Sequence, residues 1–153
     1  MSLDLEVLYQ EIILDHYKHP RNFGPLPEGG FSVAHENPFC GDHLQLFLHL
    51  EEGRLKDIRF HGRGCAISMA SASMMTEKVK GQPISEVQRQ IEDFLAFMRH
   101  EKELSEEEMG DLVALQGVRQ FPVRVKCATL AWNALREALT SGAAEGETEH
   151  CPS

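Results

Sequence analysis

The sequence has few aromatic residues and no long apolar run. Phe, Trp and Tyr together make up 7% of its 153 residues, so we expect a core built mainly from aliphatic side chains and alanine. No stretch approaches the roughly 20 apolar residues that a membrane-spanning helix needs. The first residues, 1–6, are acidic and amphipathic and lack the basic, apolar pattern of a signal peptide. We therefore expect a cytoplasmic protein with no membrane partner.

Basic residues are also scarce, with 15 Lys and Arg against 24 Asp and Glu and a net charge of −9. A protein that binds the phosphate backbone of nucleic acids needs a basic face. No cluster of Lys and Arg with interleaved aromatic residues occurs in the chain. Nucleic acid is therefore not expected as a partner.

The hydrophobic periodicity predicts one α+β domain in which strands and helices are segregated along the chain. We expect three strands to form a small antiparallel sheet packed against several helices. The predicted strands are 31–36, 44–50 and 54–61, and the predicted helices are 3–17, 66–80, one capped by Ser85 with Gln88 as its capping-box partner, and 122–142. The domain should span 1–142, and the polar segment 143–153 should be a mobile acidic tail.

The four cysteines, at positions 40, 65, 127 and 151, are the residues most suggestive of chemistry. In a chain without an export signal they favour metal binding or reactivity over disulfides. We treat Cys151, in the polar tail, as a spectator. Cys40 lies in a turn, Cys65 follows a glycine break that leads into a helix, and Cys127 lies in the first turns of the last predicted helix. Such boundary positions can converge at one end of a sheet.

A carboxylate accompanies the first cysteine, because Asp42 follows Cys40 with only a glycine between them. Both side chains can turn toward one cation. Three thiolates and one carboxylate would suit zinc, at a total charge of about −2, or iron in a cluster. Arg124 shares a helix face with Cys127 at a spacing of three residues, and its charge could offset this excess and compete for a ligand.

Other interpretations remain open for these residue types. Isolated cysteines are commonly small buried hydrophobic residues, and the gaps of 24 and 61 residues match no compact zinc-finger spacing. His43 and His61 are conceivable extra ligands, although alternation points His43 away from the face of Asp42. We expect His16 and His19 to be surface groups ending the first helix. The methionines 69, 74 and 75 are expected in the core, and the acidic run 101–108 in solvent.

Four segments of the chain resemble motifs of the U-type iron–sulfur cluster assembly family, in the order that the family shows. They are LYQEIILDHYKHPRNFG near the start, NPFCGD, GRGCAISMASASMMTE and LQGVRQFPVRVKCATLAW. The resemblance covers nearly the whole chain. It implies the SufE/NifU-like scaffold fold, with a metal site formed by Cys40, Asp42, Cys65 and Cys127.

Within this family the chain is most similar to the SufU-like branch. Members of that branch bind zinc at this site and accept sulfur from a cysteine desulfurase for delivery to cluster assembly, whereas the IscU-like branch carries a nascent cluster there. This sequence has Lys126 where the IscU-like pattern has histidine, and FPVRVKC lacks the Leu-Pro-Pro-Val-Lys chaperone motif. The resemblance thus implies a zinc-binding sulfur-transfer partner of a PLP-dependent, SufS-like desulfurase and of downstream cluster-assembly proteins, not a stand-alone enzyme.

Cys40 is the predicted sulfur acceptor, because its turn between proline and glycine can move whereas Cys65 and Cys127 are anchored to helices. A ligand from the desulfurase would replace Cys40 on zinc, Arg124 would help to hold displaced Asp42, and the freed thiolate would attack the persulfide.

Two alternatives to sulfur transfer remain. One is a scaffold on which a [2Fe–2S] cluster is assembled on the three cysteines and handed to apo-proteins. The other is a structural zinc module without transfer chemistry. A cysteine hydrolase is disfavoured, since no Cys–His–acid arrangement stands out.

Overall fold

The computed structural model describes residues 2–24, 31–37 and 41–145. The elements in chain order are α1 (Ser2–Lys18), β1 (Phe31–Asn37), β2 (Asp42–Glu51), β3 (Arg54–Arg63), α2 (Ala66–Val79), α3 (Ile84–Met98), α4 (Glu106–Met109), a 3₁₀ segment (Gly110–Gln120) and α5 (Pro122–Glu145). The predicted α+β class with one small antiparallel sheet is confirmed. None of the described helices is both long and apolar enough to cross a bilayer.

The sheet has the order β1-β2-β3, and both neighbouring pairs are antiparallel. The β2–β3 hairpin turns through Glu52 and Gly53, whose φ angles of 55° and 77° suit the tight turn that matches strand twist. Alternation along β2 places one row of leucines in the core, each no more than 1% exposed: Leu44, Leu46 and Leu48. At the other hairpin, Asn37 pairs with Asp42, so β2 begins at the carboxylate that the sequence singles out.

The helices pack against this sheet and against one another. Helix α5 contacts β1, β2 and α2, while α1 lies on α2 and on the 3₁₀ segment. The small side chains of α2 permit this close packing, and the methionines predicted for the core (Met69, Met74 and Met75) are buried. Helix α2 is therefore the central element, and its N-terminal end lies beside the start of β2, the middle strand of the sheet.

Trp132 joins three helices in the core. Its indole Nε1–H donates to Ser71 Oγ of α2 at 3.1 Å, and that hydroxyl donates to the carbonyl of Ala128 at 2.6 Å. Its ring stacks on Phe94 of α3 with centroids 4.4 Å apart. The indole thus buries a large apolar area with its one polar atom satisfied.

The prediction for His16 is wrong, because this side chain is fully buried rather than at the surface. Its ring nitrogens lie 2.8 Å from Ser73 of α2 and 2.8 Å from Asp111 of the 3₁₀ segment. Partners 57 and 95 residues away in sequence leave no local signature. On the same helix the apolar residue Leu8 is 49% exposed.

The predicted cap of α3 is also wrong. The helix begins at Ile84, with Pro83 in the cap position and no side-chain cap. The N–H of Val87, which a Ser85 cap would bind, instead donates to the carbonyl of Pro83 at 3.0 Å. The first helical N–H, that of Ile84, donates to the carbonyl of Gly53 in the hairpin turn at 2.9 Å. A complete capping box does occur at α4, between Ser105 and Glu108, within the acidic run that is exposed as predicted.

The last helix, α5, starts at Pro122 as predicted and continues through Glu145, three residues past the predicted domain end at 142. Residues 146–153, including Cys151, lie outside the described part of the chain.

We predict that replacing Trp132 by alanine destabilises the fold by about 3–5 kcal/mol, because a fully buried indole is lost and Ser71 loses its donor. Urea unfolding followed by circular dichroism measures this change. The matched control is Phe121→Ala, at an aromatic residue that is 58% exposed, where we expect a change within about 0.5 kcal/mol. Equal losses in both variants would contradict the assigned core.

Candidate metal centre

The structure brings together three of the four predicted ligands. One carboxylate oxygen of Asp42 and the sulfurs of Cys65 and Cys127 all lie within 4.8 Å of one another. Asp42 is 1% exposed and Cys127 is fully buried, whereas Cys65 is half-buried. These residues come from the start of β2, the N-cap position of α2 and the second turn of α5. Three elements distant in sequence therefore meet at one point.

The two oxygens of the Asp42 carboxylate have different surroundings. Oδ1 accepts the backbone N–H of Cys65 at 3.0 Å. Oδ2 is buried and has no hydrogen-bond partner among the described residues. A buried carboxylate oxygen without a partner is costly, and a cation at this position would satisfy it. Oδ1 thus orients the side chain, and Oδ2 is the atom available to a metal.

Two glycines allow this approach between β3 and α2. A Cβ on Gly64 would lie 2.5 Å from Asp42 Oδ1 and 2.6 Å from Ser68 Oγ, too close for any side chain. A Cβ on Gly62 would lie 2.1 Å from the carbonyl oxygen of His43, and its φ of +149° disfavours other residues. The glycine break that is expected to lead into a helix therefore also provides the space that the carboxylate occupies.

The remaining predicted site residues have different outcomes. Cys40, the predicted fourth ligand and sulfur acceptor, lies outside the described residues. Arg124 is exposed on α5 and forms no ion pair with the described residues; it lies one helical turn before Cys127 but is not a member of the ligand group. His43 is exposed on the face of β2 opposite Asp42, as alternation predicts, and exposed His61 packs beside Phe23.

Comparison with known proteins identifies the fold that carries this cluster. A family model described as the NifU-like N terminal domain matches residues 8–128. The chain belongs to this family. The resemblance inferred from the four motifs is thereby confirmed.

Two curated relatives of this NifU-like domain span nearly all of the chain. The zinc-dependent sulfurtransferase SufU of Bacillus subtilis is 43% identical over 138 residues, covering 90% of this chain and 93% of the relative. The iron–sulfur cluster assembly scaffold protein IscU of Streptococcus pyogenes is 40% identical over 139 residues, covering 91% and 87%. The family thus includes relatives named for sulfur transfer and relatives named for cluster assembly.

A solved structure from Fervidobacterium islandicum, described as a candidate iron–sulfur cluster assembly scaffold protein for the SUF system, has the same fold. It superposes with a TM-score of 0.78 at 31% identity, covering 84% of this chain and 94% of the other.

Sequence analysis missed one side chain of this NifU-like site, that of Ser68. It is buried, and its Oγ–H donates to the carbonyl of Cys65 at 3.1 Å. The same oxygen lies 3.8 Å from the sulfur of Cys65. Its position three residues after Cys65, on the same helix face, is the signal that could have revealed it. Ser68 packs against the sulfur and helps to orient it.

The donor set fits a thiophilic divalent cation. Two sulfurs and one carboxylate oxygen are typical of zinc sites, which take a fourth donor to complete a tetrahedron; sulfur donors also suit iron in clusters. Two thiolates and one carboxylate carry a charge of about −3, which a divalent cation would largely balance. Oδ2 of Asp42 has no hydrogen-bond partner in the part of the chain that the structure describes, and this distinguishes the cluster from cysteines that merely fill the core.

We predict that Gly64→Ala weakens zinc binding about 10–100-fold, the range found when the support of a metal ligand is lost, because the new methyl group displaces the Asp42 carboxylate. Competition with a chromogenic chelator measures the affinity. The control is Gly117→Ala, where an added Cβ meets nothing within 4 Å, and its zinc affinity should equal that of the parent. Unchanged affinity in Gly64→Ala would exclude Asp42 as a ligand.

Proposed function

We propose that this protein serves iron–sulfur cluster assembly as a zinc-dependent acceptor of persulfide sulfur from a cysteine desulfurase. Asp42, Cys65 and Cys127 would hold the zinc, and Cys40 would complete the site and receive the sulfur. The observation that carries the proposal is the buried carboxylate of Asp42. Its Oδ2 lacks a hydrogen-bond partner within the described residues, and one of its oxygens lies within 4.8 Å of two cysteine sulfurs. The protein would then be a sulfur-transfer partner rather than a stand-alone enzyme, acting in the cytoplasm.

The relatives support this reading of the donor set. The Bacillus subtilis relative is named a zinc-dependent sulfurtransferase and matches almost end to end. Zinc holds the sulfurs that bind it as thiolates and restrains their reactivity until one of them is released. Transfer therefore requires that one cysteine can leave while the other ligands stay.

The three described ligands are held in place by their surroundings, as is required of ligands that stay on the metal during transfer. Asp42 is oriented by the N–H of Cys65, Cys65 is the N-cap residue of α2, and Cys127 lies fully buried on α5. Cys40 precedes Asp42 by two residues, so covalent geometry limits their Cα atoms to about 7 Å apart. Of the four, Cys40 belongs to the segment between proline and glycine, and we assign it the exchangeable position.

The transfer step conserves atoms and electrons. The thiolate of Cys40 attacks the outer sulfur of the persulfide on the desulfurase cysteine. A new S–S bond forms at Cys40, the original S–S bond breaks, and the desulfurase cysteine leaves as a thiolate. Arg124, exposed one turn before Cys127, would offset negative charge at the site and hold the Asp42 carboxylate if that ligand is displaced.

The proposed partners follow from this chemistry. The donor would be a PLP-dependent, SufS-like cysteine desulfurase, since its product is a protein-bound persulfide. The recipients would be downstream cluster-assembly proteins that take the sulfur from Cys40.

We predict that Cys40→Ser abolishes sulfur uptake while the protein stays folded, because the nucleophile is lost and the elements that pack the core are untouched. The measurement is transfer of radiolabelled sulfur from cysteine, through a loaded desulfurase, to the purified protein on a non-reducing gel. Cys151→Ser is the matched control and should load as the parent does. Label on Cys40→Ser equal to that on the parent would refute the assignment of the acceptor.

A second function is favoured by the relatives named for cluster assembly, among them the Streptococcus pyogenes protein at 40% identity. On this alternative, Cys40, Cys65 and Cys127 would ligate a [2Fe–2S] cluster that is passed to apo-proteins. Anaerobic reconstitution with iron and sulfide, read by visible absorption, separates the two functions. A stable chromophore at one cluster per chain would favour the scaffold, and a colourless protein that retains zinc would favour sulfur transfer.

A purely structural zinc module is the third alternative. It predicts that chelation of the metal unfolds the protein cooperatively and that no desulfurase is stimulated. The extensive core around α2, α3 and α5 suggests instead that the apo-protein remains folded.

A further inference from the structure

A second group of metal-binding side chains lies where α1, α2 and the 3₁₀ segment meet. It consists of His16, Glu77 and Asp111, with one ligand atom from each residue within 4.8 Å of the others. Glu77 follows Cys65 by twelve residues along α2, which places the two groups about 18 Å apart along the helix. The proposed sulfur-transfer chemistry uses none of these three residues.

The imidazole of His16 is fully buried, and a hydrogen bond at Nδ1 fixes its orientation. Nδ1 lies 2.8 Å from Ser73 Oγ, and that oxygen also accepts the backbone N–H of Arg21 at 2.9 Å. Nε2 is therefore directed toward the two carboxylates. A histidine that binds metal through one nitrogen while a hydrogen-bond partner fixes the other is the usual arrangement in protein metal sites.

The two carboxylates lie at the solvent side of Nε2. Asp111 Oδ2 is 2.8 Å away and Glu77 Oε1 is 4.0 Å away, and these side chains are 54% and 47% exposed. Two ligands bound to one ion at about 2.1 Å and at right angles are about 3.0 Å apart. The His16–Asp111 separation matches such a pair, and a small rotation of exposed Glu77 supplies the third ligand. Both carboxylates line a cleft through which an ion could enter.

Two cations of the described part of the chain lie near the group. Lys78 of the same cleft donates to the carbonyl of Glu108 at 2.5 Å, and Arg21 is anchored beside the group rather than in it. Its guanidinium pairs with Asp15 at 2.7 Å and donates to the carbonyl of His19 at 3.0 Å, and it approaches only the outer oxygen of Glu77, Oε2, at 3.8 Å. The pKa of Arg21 is raised, mainly by the hydrogen bond to Asp15 and further by the charges of Glu77 and Asp111. The carboxylates of Glu77 and Asp111 thus still place negative charge next to Nε2.

We propose that His16, Glu77 and Asp111 bind a divalent first-row transition-metal ion at a site separate from the cysteine cluster. One imidazole and two carboxylates form a harder donor set than the thiolates, suited to Mn²⁺ or Fe²⁺ as well as to zinc. The ion would replace the contact between Nε2 and Asp111 and would link α1, α2 and the 3₁₀ segment. The site would thus respond to a different class of metal from the one that the cysteines select.

The test is a titration of the zinc-loaded full-length protein with Mn²⁺, read by the loss of the six-line electron paramagnetic resonance signal of the free ion. We expect one bound Mn²⁺ per chain, with pulsed spectra showing coupling to a single imidazole nitrogen. Asp111→Asn and Glu77→Gln should each weaken binding at least about tenfold. Both replacements are isosteric and lie at exposed positions, so the fold should be retained, as circular dichroism can verify.

The matched control is Glu107→Gln, because Glu107 is an exposed carboxylate of the same cleft that does not belong to the ligand group. Its Mn²⁺ affinity should stay within about twofold of that of the parent, since only cleft charge changes. Absence of Mn²⁺ binding, equal weakening in all three variants, or a bound ion without nitrogen coupling would each overturn the proposal.

Discussion

The hydrogen bond from the backbone N–H of Cys65 to Oδ1 of Asp42 is the interaction on which the cysteine site depends. It fixes one oxygen of a buried carboxylate and leaves the other without a hydrogen-bond partner among the described residues. It forms because position 64 has no side chain and because β2 begins at Asp42, opposite Asn37 in the hairpin. A bond between the start of a strand and the start of a helix thus determines how the carboxylate is presented.

The packing of the other elements keeps the start of β2 next to the start of α2. The leucine row of β2 packs its sheet face into the core, and α2 runs across that core with small side chains that allow α5 to approach. The approach of α5 brings Cys127 to within reach of Cys65. In the mechanism proposed, the same rigidity has a chemical use, because three ligands held by packed elements let the fourth exchange without loss of the metal.

Helix α2 also connects this cluster to the carboxylates around His16. Cys65 lies at its N-cap, while Ser73 and Glu77 lie in its second half. The two groups differ in donor chemistry, with sulfur at one end and imidazole and carboxylate at the other, so they would select different ions. A single rigid helix therefore separates two sites by a fixed distance.

Local patterns predicted the elements well where side-chain alternation or breaker residues are strong. The second and third strands, the start of α2 after the glycine break and the start of α5 at Pro122 all appear as predicted. The prediction failed at the start of α3, where the helix begins at Ile84, one residue before Ser85, and its first N–H donates to the hairpin carbonyl of Gly53. The Gly53 carbonyl belongs to the β2–β3 hairpin, and helix propensity within α3 does not predict a contact with another element.

The sequence by itself determined the donor chemistry: cysteines and an aspartate at element boundaries, with glycines beside them. Only the tertiary structure decided which oxygen of Asp42 accepts the N–H of Cys65, and that His16 is buried with Ser73 and Asp111 rather than exposed at a helix end. The physical reason is the same in both cases. Residue type and spacing set what a side chain can bind, whereas burial and hydrogen-bond partners are set by the packing of elements that are far apart in the chain.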